Sequence, residues 1–224
     1  MKNAIKIAGG IFFLICLQSN AQETVKPESK ETPVIVIQSS GITTEVLGVE
    51  ETEEVKEQNR KMAMNKPNLY SIKVTDIDGK EFDFKNLKGK KILIVNTASK
   101  CGYTPQYKEL EELYQKMKNN NLVIVGFPSN DFGQQEQGSN AEIKTFCTNN
   151  FGVTFPMMSK VAVSGKDKCE LYQFLTQKDK NGFEDSKVEW NFQKYLINEN
   201  GQLEKIFSPK VTPLSDEILA SLQK

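Results

Sequence analysis

The sequence of 224 residues contains no histidine and a single arginine, Arg60. Without an imidazole, Ser-His and Cys-His dyads, His-ligated zinc or haem, and any histidine general base are excluded. With one guanidinium, bidentate clamps on carboxylates or phosphates are nearly excluded too, since every other cation is a lysine. Cysteine is scarce. Cys16, Cys101, Cys147 and Cys169 are all there is, and none forms a C-x-x-C pair, which argues against a four-thiolate zinc site. Excess charge is lacking as well. Lys+Arg and Asp+Glu number 29 each, so no basic field points to nucleic acid.

What is present divides into three parts. Residues 1–21 read as an export signal. Lys2 and Lys6 open it, a short apolar run follows over 11–17, and Ser19-Asn20-Ala21 supplies small residues for cleavage. That run is too short to span a bilayer. The expected location is therefore exported, periplasmic or secreted. Cys16 is where a lipid anchor would attach, although Ile15 is bulky where such signals take a small residue. Residues 22–65 hold nine acidic and five basic residues and no aromatic, the composition of a flexible acidic linker. Within it, Val34-Ile35-Val36-Ile37 stands out as a sticky strand or docking segment. Residues 66–224 carry globular patterning.

In that third part, segments 70–74 and 80–84 flank Asp76-Ile77-Asp78-Gly79, a hairpin signal. Residues 92–96 and 122–127 read as buried strands of a parallel sheet. Tyr107, Leu110, Leu113, Tyr114 and Met117 recur at helical spacing. Ser139-Asn140-Ala141-Glu142 has the spacing of a capping box and opens a second helix. Residues 160–163 are predicted as a strand and 168–177 as a helix. Segments 190–197 and 202–207 flank Asn198-Glu199-Asn200-Gly201 as a second hairpin, and Pro213 is expected to start a last helix. This order predicts an α/β domain, a central mixed sheet with helices on both faces and an N-terminal β-hairpin. Thioredoxin has the same order of elements.

Cys101 follows the first buried strand and precedes a helix, with Gly102 and Pro105 punctuating the turn. There the sulfur faces unpaired backbone N–H groups and the positive end of a helix dipole. Comparable sites lower a thiol pKa from about 8.5 to roughly 3.5–7.5. Cys101-Gly102-Tyr103-Thr104 looks like a thioredoxin C-x-x-C whose second cysteine has become Thr104. A small buried hydrophobe is the competing role for Cys101. Cys147 is the candidate partner, with core packing as its alternative, and Cys169 reads as structural.

Three segments resemble the glutathione peroxidase family: Asn96-Thr97-Ala98-Ser99-Lys100-Cys101-Gly102, Phe127-Pro128-Ser129-Asn130-Asp131-Phe132-Gly133-Gln134-Gln135-Glu136, and Trp190-Asn191-Phe192. The resemblance runs from about residue 66 to 224. It implies Cys101 as the peroxidatic residue and Gln135, Trp190 and Asn191 as its catalytic companions. Indole and amide N–H groups hydrogen-bond a thiolate and a departing oxygen without delivering a full charge. Asp131, Ser129 and Gln137 depart from the family pattern. Asp131 is expected to point to solvent.

Phe146-Cys147-Thr148 looks like the resolving segment of thioredoxin-dependent members. The resemblance therefore implies a hydroperoxide substrate, a sulfenic acid, a Cys101–Cys147 disulfide and a thioredoxin-like reductant protein. It implies neither metal nor organic cofactor. The stretch between Leu175 and Trp190 lacks room for the long insertion of the family's tetrameric, glutathione-using members, so the resemblance implies a monomer. Two rival readings stand beside this one. The first is an exported thiol–disulfide oxidoreductase or binding module with a structural disulfide, and the second is a glutathione-dependent peroxidase.

Overall fold

The computed structural model describes residues 67–223, together with Glu53, Glu54 and Lys56, which are helical and exposed. The export signal, Cys16 and the run at 34–37 lie outside the described residues, as does nearly all of the acidic segment. A short 3₁₀ turn, Leu69–Ser71, leads into strand β1 (Lys73–Thr75), which pairs antiparallel with β2 (Glu81–Asp83). The turn between them is held by the Asp76 carboxylate, which accepts from the N–H groups of Asp78 and Lys80 at 2.9 and 2.8 Å. The expected N-terminal hairpin is therefore present, with shorter strands than predicted because 3₁₀ turns occupy both outer ends.

The main sheet has the order β4-β3-β5-β6. Strand β3 (Lys91–Thr97) runs parallel to β4 (Leu122–Pro128) and antiparallel to β5 (Lys194–Ile197), and β5 pairs antiparallel with β6 (Leu203–Phe207). Every residue of β3 and β4 is buried, as continuous apolar runs require in a sheet covered on both faces. Alternation divides the core. Ile92 and Ile94 join Val125, Tyr195 and helix α3 (Glu170–Thr176) on one side. Leu93 and Val95 join helices α1 (Gln106–Met117), α2 (Asn140–Phe151) and α5 (Asp216–Leu222) on the other. A single turn, α4 (Lys178–Asn181), follows α3. This is the mixed sheet with helices on both faces that the pattern predicts, in the arrangement of thioredoxin.

Two predicted elements differ. Residues 160–163 form no strand, because their N–H groups go elsewhere. Lys160 N–H donates to the Asn140 side chain and Val163 N–H to the Asp131 carboxylate, leaving Val161 N–H to Pro128 O as a lone sheet-like bond. Residues 190–193 also stay outside β5. Phe192 takes φ +67°, a left-handed conformation no extended strand contains. The final helix begins at Asp216, with turn geometry between Pro213 and its cap Ser215.

Candidate active site

Cys101 sits in a tight turn between β3 and α1. Its N–H donates to Thr104 Oγ1 at 3.0 Å, Thr104 Oγ1 donates to Ala98 O at 2.9 Å, and Thr104 N–H returns to Cys101 O at 3.0 Å. Thr104, at the place of the second cysteine in a C-x-x-C pattern, is thus the residue that closes the turn. The sequence pattern marks the missing cysteine without revealing this substitute. The turn curls backbone toward the sulfur, and Tyr103 N–H donates to Cys101 Sγ at 3.4 Å. The helix proper starts only at Gln106, so the sulfur meets this turn amide before it meets the helix end. Cys101 is 8% exposed.

Asn96, buried near the end of β3, organises the segment carrying Trp190 and Asn191. Its Nδ2 donates to Trp190 O at 3.0 Å, its backbone O accepts from Phe192 N–H at 2.6 Å, and its Oδ1 accepts from Gln193 N–H at 3.1 Å. Three bonds from one residue pin the left-handed Phe192. Backbone strain of this kind persists where surroundings over-determine it, commonly at functional sites. Across the site, Gly133 and Gln134 take φ +61° and +53° in succession. That double left-handed turn presents Gln135, whose backbone O accepts from Lys100 N–H at 3.0 Å, next to the cysteine in sequence.

The two presented side chains meet. Asn191 Nδ2 donates to Gln135 Oε1 at 3.0 Å, while the buried Asn191 Oδ1 has no partner among the described residues. Trp190 is partly exposed at 38%, and its ring lies 5.4 Å from that of Phe132. With Tyr103, Glu189, Ser208, Pro209 and Lys210 it lines a cavity of about 440 Å³. The structure thus joins Gln135 to Asn191, ties the Gln135 loop to the residue before Cys101, and places Trp190 with Tyr103 in the lining of that cavity. Glu136 is buried beside them. Its Oε2 accepts from Ser99 Oγ at 3.1 Å, and burial, opposed by Ser99 and by Lys160, raises its carboxyl pKa.

Cys147 lies on α2, 1% exposed, in the same apolar cluster as Cys101, and both thiols are free. Burial pushes the Cys147 thiol up to about 11, with the Tyr107 hydroxyl pulling the other way. Helix α2 is capped as predicted, with reciprocal bonds between Ser139 and Glu142, yet it buries only Ile143 and Cys147. Cys169 is partly buried at the start of α3, and burial raises its pKa. Asp131 is exposed, as expected. Its Oδ2 accepts from Val163 N–H, Ser164 N–H and Ser164 Oγ at 2.7, 2.8 and 3.2 Å, so it also organises the neighbouring loop.

Residues 69–176 match the family described as glutathione peroxidase. The "Glutathione peroxidase-like peroxiredoxin gpx1" of Schizosaccharomyces pombe is 52% identical over 141 residues, covering 62% of this chain and 88% of that protein. The chain belongs to the glutathione peroxidase family. A further relative, the "Hydroperoxy fatty acid reductase gpx1" of Synechocystis sp., is 40% identical over 163 residues, with 70% of this chain and 94% of the relative covered. Among solved structures, one titled "Crystal structure of Trgpx in apo form" superposes with a TM-score of 0.54 at 35% identity, covering 70% of this chain and 96% of that one. As a glutathione peroxidase family member the chain is a peroxidase-type oxidoreductase of thioredoxin-like architecture.

Proposed function

We propose that this family member reduces hydroperoxides through two cysteines, with Cys101 peroxidatic and Cys147 resolving. The Cys101 thiolate attacks the terminal oxygen of ROOH. The O–O bond breaks, and RO⁻ leaves as ROH once protonated. Cys101 is then a sulfenic acid. The Cys147 sulfur displaces hydroxide from it, which leaves as water, and a disulfide forms. A thioredoxin-like dithiol protein reduces that disulfide and is itself oxidised.

The observation that carries the reading is the turn at Cys101. Its sulfur accepts a backbone N–H, and a loop bonded to Lys100 brings in the Gln135–Asn191 amide pair. Donors fixed in advance stabilise charge developing on sulfur and on the leaving oxygen without reorganising. Trp190, in the cavity lining, carries a further N–H donor. Helix α2, which buries Ile143 and Cys147 and packs Phe146 and Phe151 against the same cluster, is the element that must open for Cys147 to reach Cys101. A mature domain without arginine favours a dithiol protein over glutathione, whose two carboxylates lack a guanidinium partner.

Because Trp190, Tyr103 and Pro209 give the cavity an apolar side beside Glu189, Ser208 and Lys210, organic hydroperoxides are the expected substrates beside hydrogen peroxide. The relative named for hydroperoxy fatty acids supports the same choice. The chain is read as a monomer, exported under direction of residues 1–21, checked by light scattering and by mass spectrometry of the mature N-terminus. The function is tested by steady-state turnover with thioredoxin and with glutathione, for wild type, Cys101→Ser and Cys147→Ser. Wild type turns over with thioredoxin and Cys101→Ser with neither reductant. Normal thioredoxin-driven cycling by Cys147→Ser would overturn the two-cysteine route.

A further inference from the structure

Lys194 lies in β5 with its side chain wholly buried, which is unusual for an ammonium. Among the described residues no carboxylate bonds it. Its Nζ donates to Gln106 Oε1, to Val211 O at 2.6 Å and to Pro209 O at 3.3 Å. In the protonated form three donors thus meet three neutral acceptors, so the group is fully used. Gln106, the first residue of α1 and nearly buried, adds its own bond from Nε2 to Pro209 O at 2.9 Å. Glu109 on α1 acts on the ammonium electrostatically without bonding it. Burying an amine against neutral partners is costly, and in some proteins buried polar groups of this kind fix one particular geometry.

That geometry belongs to the cavity lined by Tyr103, the residue whose N–H donates to Cys101 Sγ. Three segments meet at Lys194. One is β5, which Trp190 precedes by four residues. Another is the start of α1, reached from Tyr103, and the third is the irregular loop after β6. The same three segments supply Trp190, Tyr103, and Ser208, Pro209 and Lys210 to the cavity lining. We propose that Lys194 is a positioning residue. With Gln106 it clips the 208–211 loop to the start of α1, holds the cavity wall facing Trp190, and so sets the site's capacity for the organic part of a hydroperoxide. The selectivity in this inference rests on the peroxidase reading above, while the clip itself does not.

Trp190 is the chain's only tryptophan, so fluorescence reports on this wall directly. The experiment compares the reduced full chain with Lys194→Met and Gln106→Met, each checked for folding by circular dichroism. Two quantities are read: acrylamide quenching of Trp190, and kcat and KM with hydrogen peroxide and with cumene hydroperoxide. Both variants are expected to double the quenching constant roughly and to raise KM for cumene hydroperoxide about tenfold, with kcat and the hydrogen peroxide parameters kept within about twofold. Should Lys194→Met fail to fold, Gln106→Met decides the matter. Unchanged quenching overturns the clip, and equal losses on both peroxides overturn its role in selectivity. If wild type reduces neither peroxide, the peroxidase reading and the selectivity fall together, while the quenching result still decides the clip.

Discussion

The side-chain amide of Asn191 donates to Gln135 Oε1 at 3.0 Å across two segments that are 56 residues apart in sequence. Neither residue belongs to a helix or strand. Each is held by backbone in the left-handed region next to it, Gln134 on one side and Phe192 on the other. The bond occupies Gln135 Oε1 and so leaves both Nε2 hydrogens of Gln135 free to donate.

The amide pair therefore gives the first prediction. Asn191→Ala removes the donor that orients Gln135, and Gln135→Ala removes the oriented group. Each variant is expected to slow the oxidation of Cys101 about a hundredfold, the scale of losing one preorganised donor. Because the two act as a unit, the double variant should cost little more than either single one. Stopped-flow oxidation with single-turnover hydroperoxide checks this, and losses that multiply in the double variant would separate the two residues.

Thr104 gives the second. Its hydroxyl accepts Cys101 N–H and donates to Ala98 O, all in buried surroundings. Thr104→Val keeps the shape and strands both groups, which is expected to cost about 2 kcal/mol of stability. The same change frees the turn that aims Tyr103 N–H at the sulfur, so peroxide reactivity should fall as well. Urea unfolding and stopped-flow oxidation are the two measurements.

The resolving step carries a pH signature. In the folded helix, burial holds the Cys147 thiol near about 11. If α2 must open before reaction, the exposed thiol titrates as an ordinary cysteine, at about 8.5. The rate of disulfide formation from pre-formed sulfenic acid should then rise about tenfold per pH unit below that value and level off above it. A rise that continues past pH 10 would mean that Cys147 reacts within the packed helix. Quenched-flow mass spectrometry of the Cys101–Cys147 peptide measures it.

Lys194 makes stability depend on pH with a definite sign. Burial lowers its pKa from 10.5 to about 7. Between these values the unfolded chain binds one proton more than the folded chain, so stability rises with pH across that window. Cys147 works in the opposite direction, because its folded thiol stays protonated from 9.0 up to about 11 while the unfolded one ionises. Wild type should therefore gain stability relative to Lys194→Met from pH 7 to pH 9, measured by urea unfolding. A difference independent of pH would contradict the account.

The framework of this fold is visible in the sequence wherever burial has a period. The runs Ile92-Leu93-Ile94-Val95 and Val123-Ile124-Val125, the stripe from Tyr107 to Met117 and the Ser139–Glu142 box each impose one local outcome, and each appears as expected. Residues 160–163 have an apolar pattern that suits a strand, but side chains from Asn140 and Asp131 capture their N–H groups, a long-range effect that no local pattern contains. The site is legible by type and less so by construction. Cys101, Gln135, Trp190 and Asn191 are quoted in motifs, whereas the work of Asn96, Thr104 and Lys194 is not. A lysine in a strand reads as a solvent-facing residue, and nothing local marks Lys194 as the one that ties three segments together.

The central claim is that Cys101 is the sulfur that meets the hydroperoxide and Cys147 the one that joins it. The most direct test adds one equivalent of hydroperoxide to the fully reduced chain and maps its thiols by intact-mass and peptide mass spectrometry. The account predicts loss of two hydrogen atoms within one chain and a cross-linked peptide pair containing Cys101 and Cys147, with Cys169 still reduced. A chain left unchanged, or one oxidised at Cys169 while Cys101 remains a thiol, would contradict it.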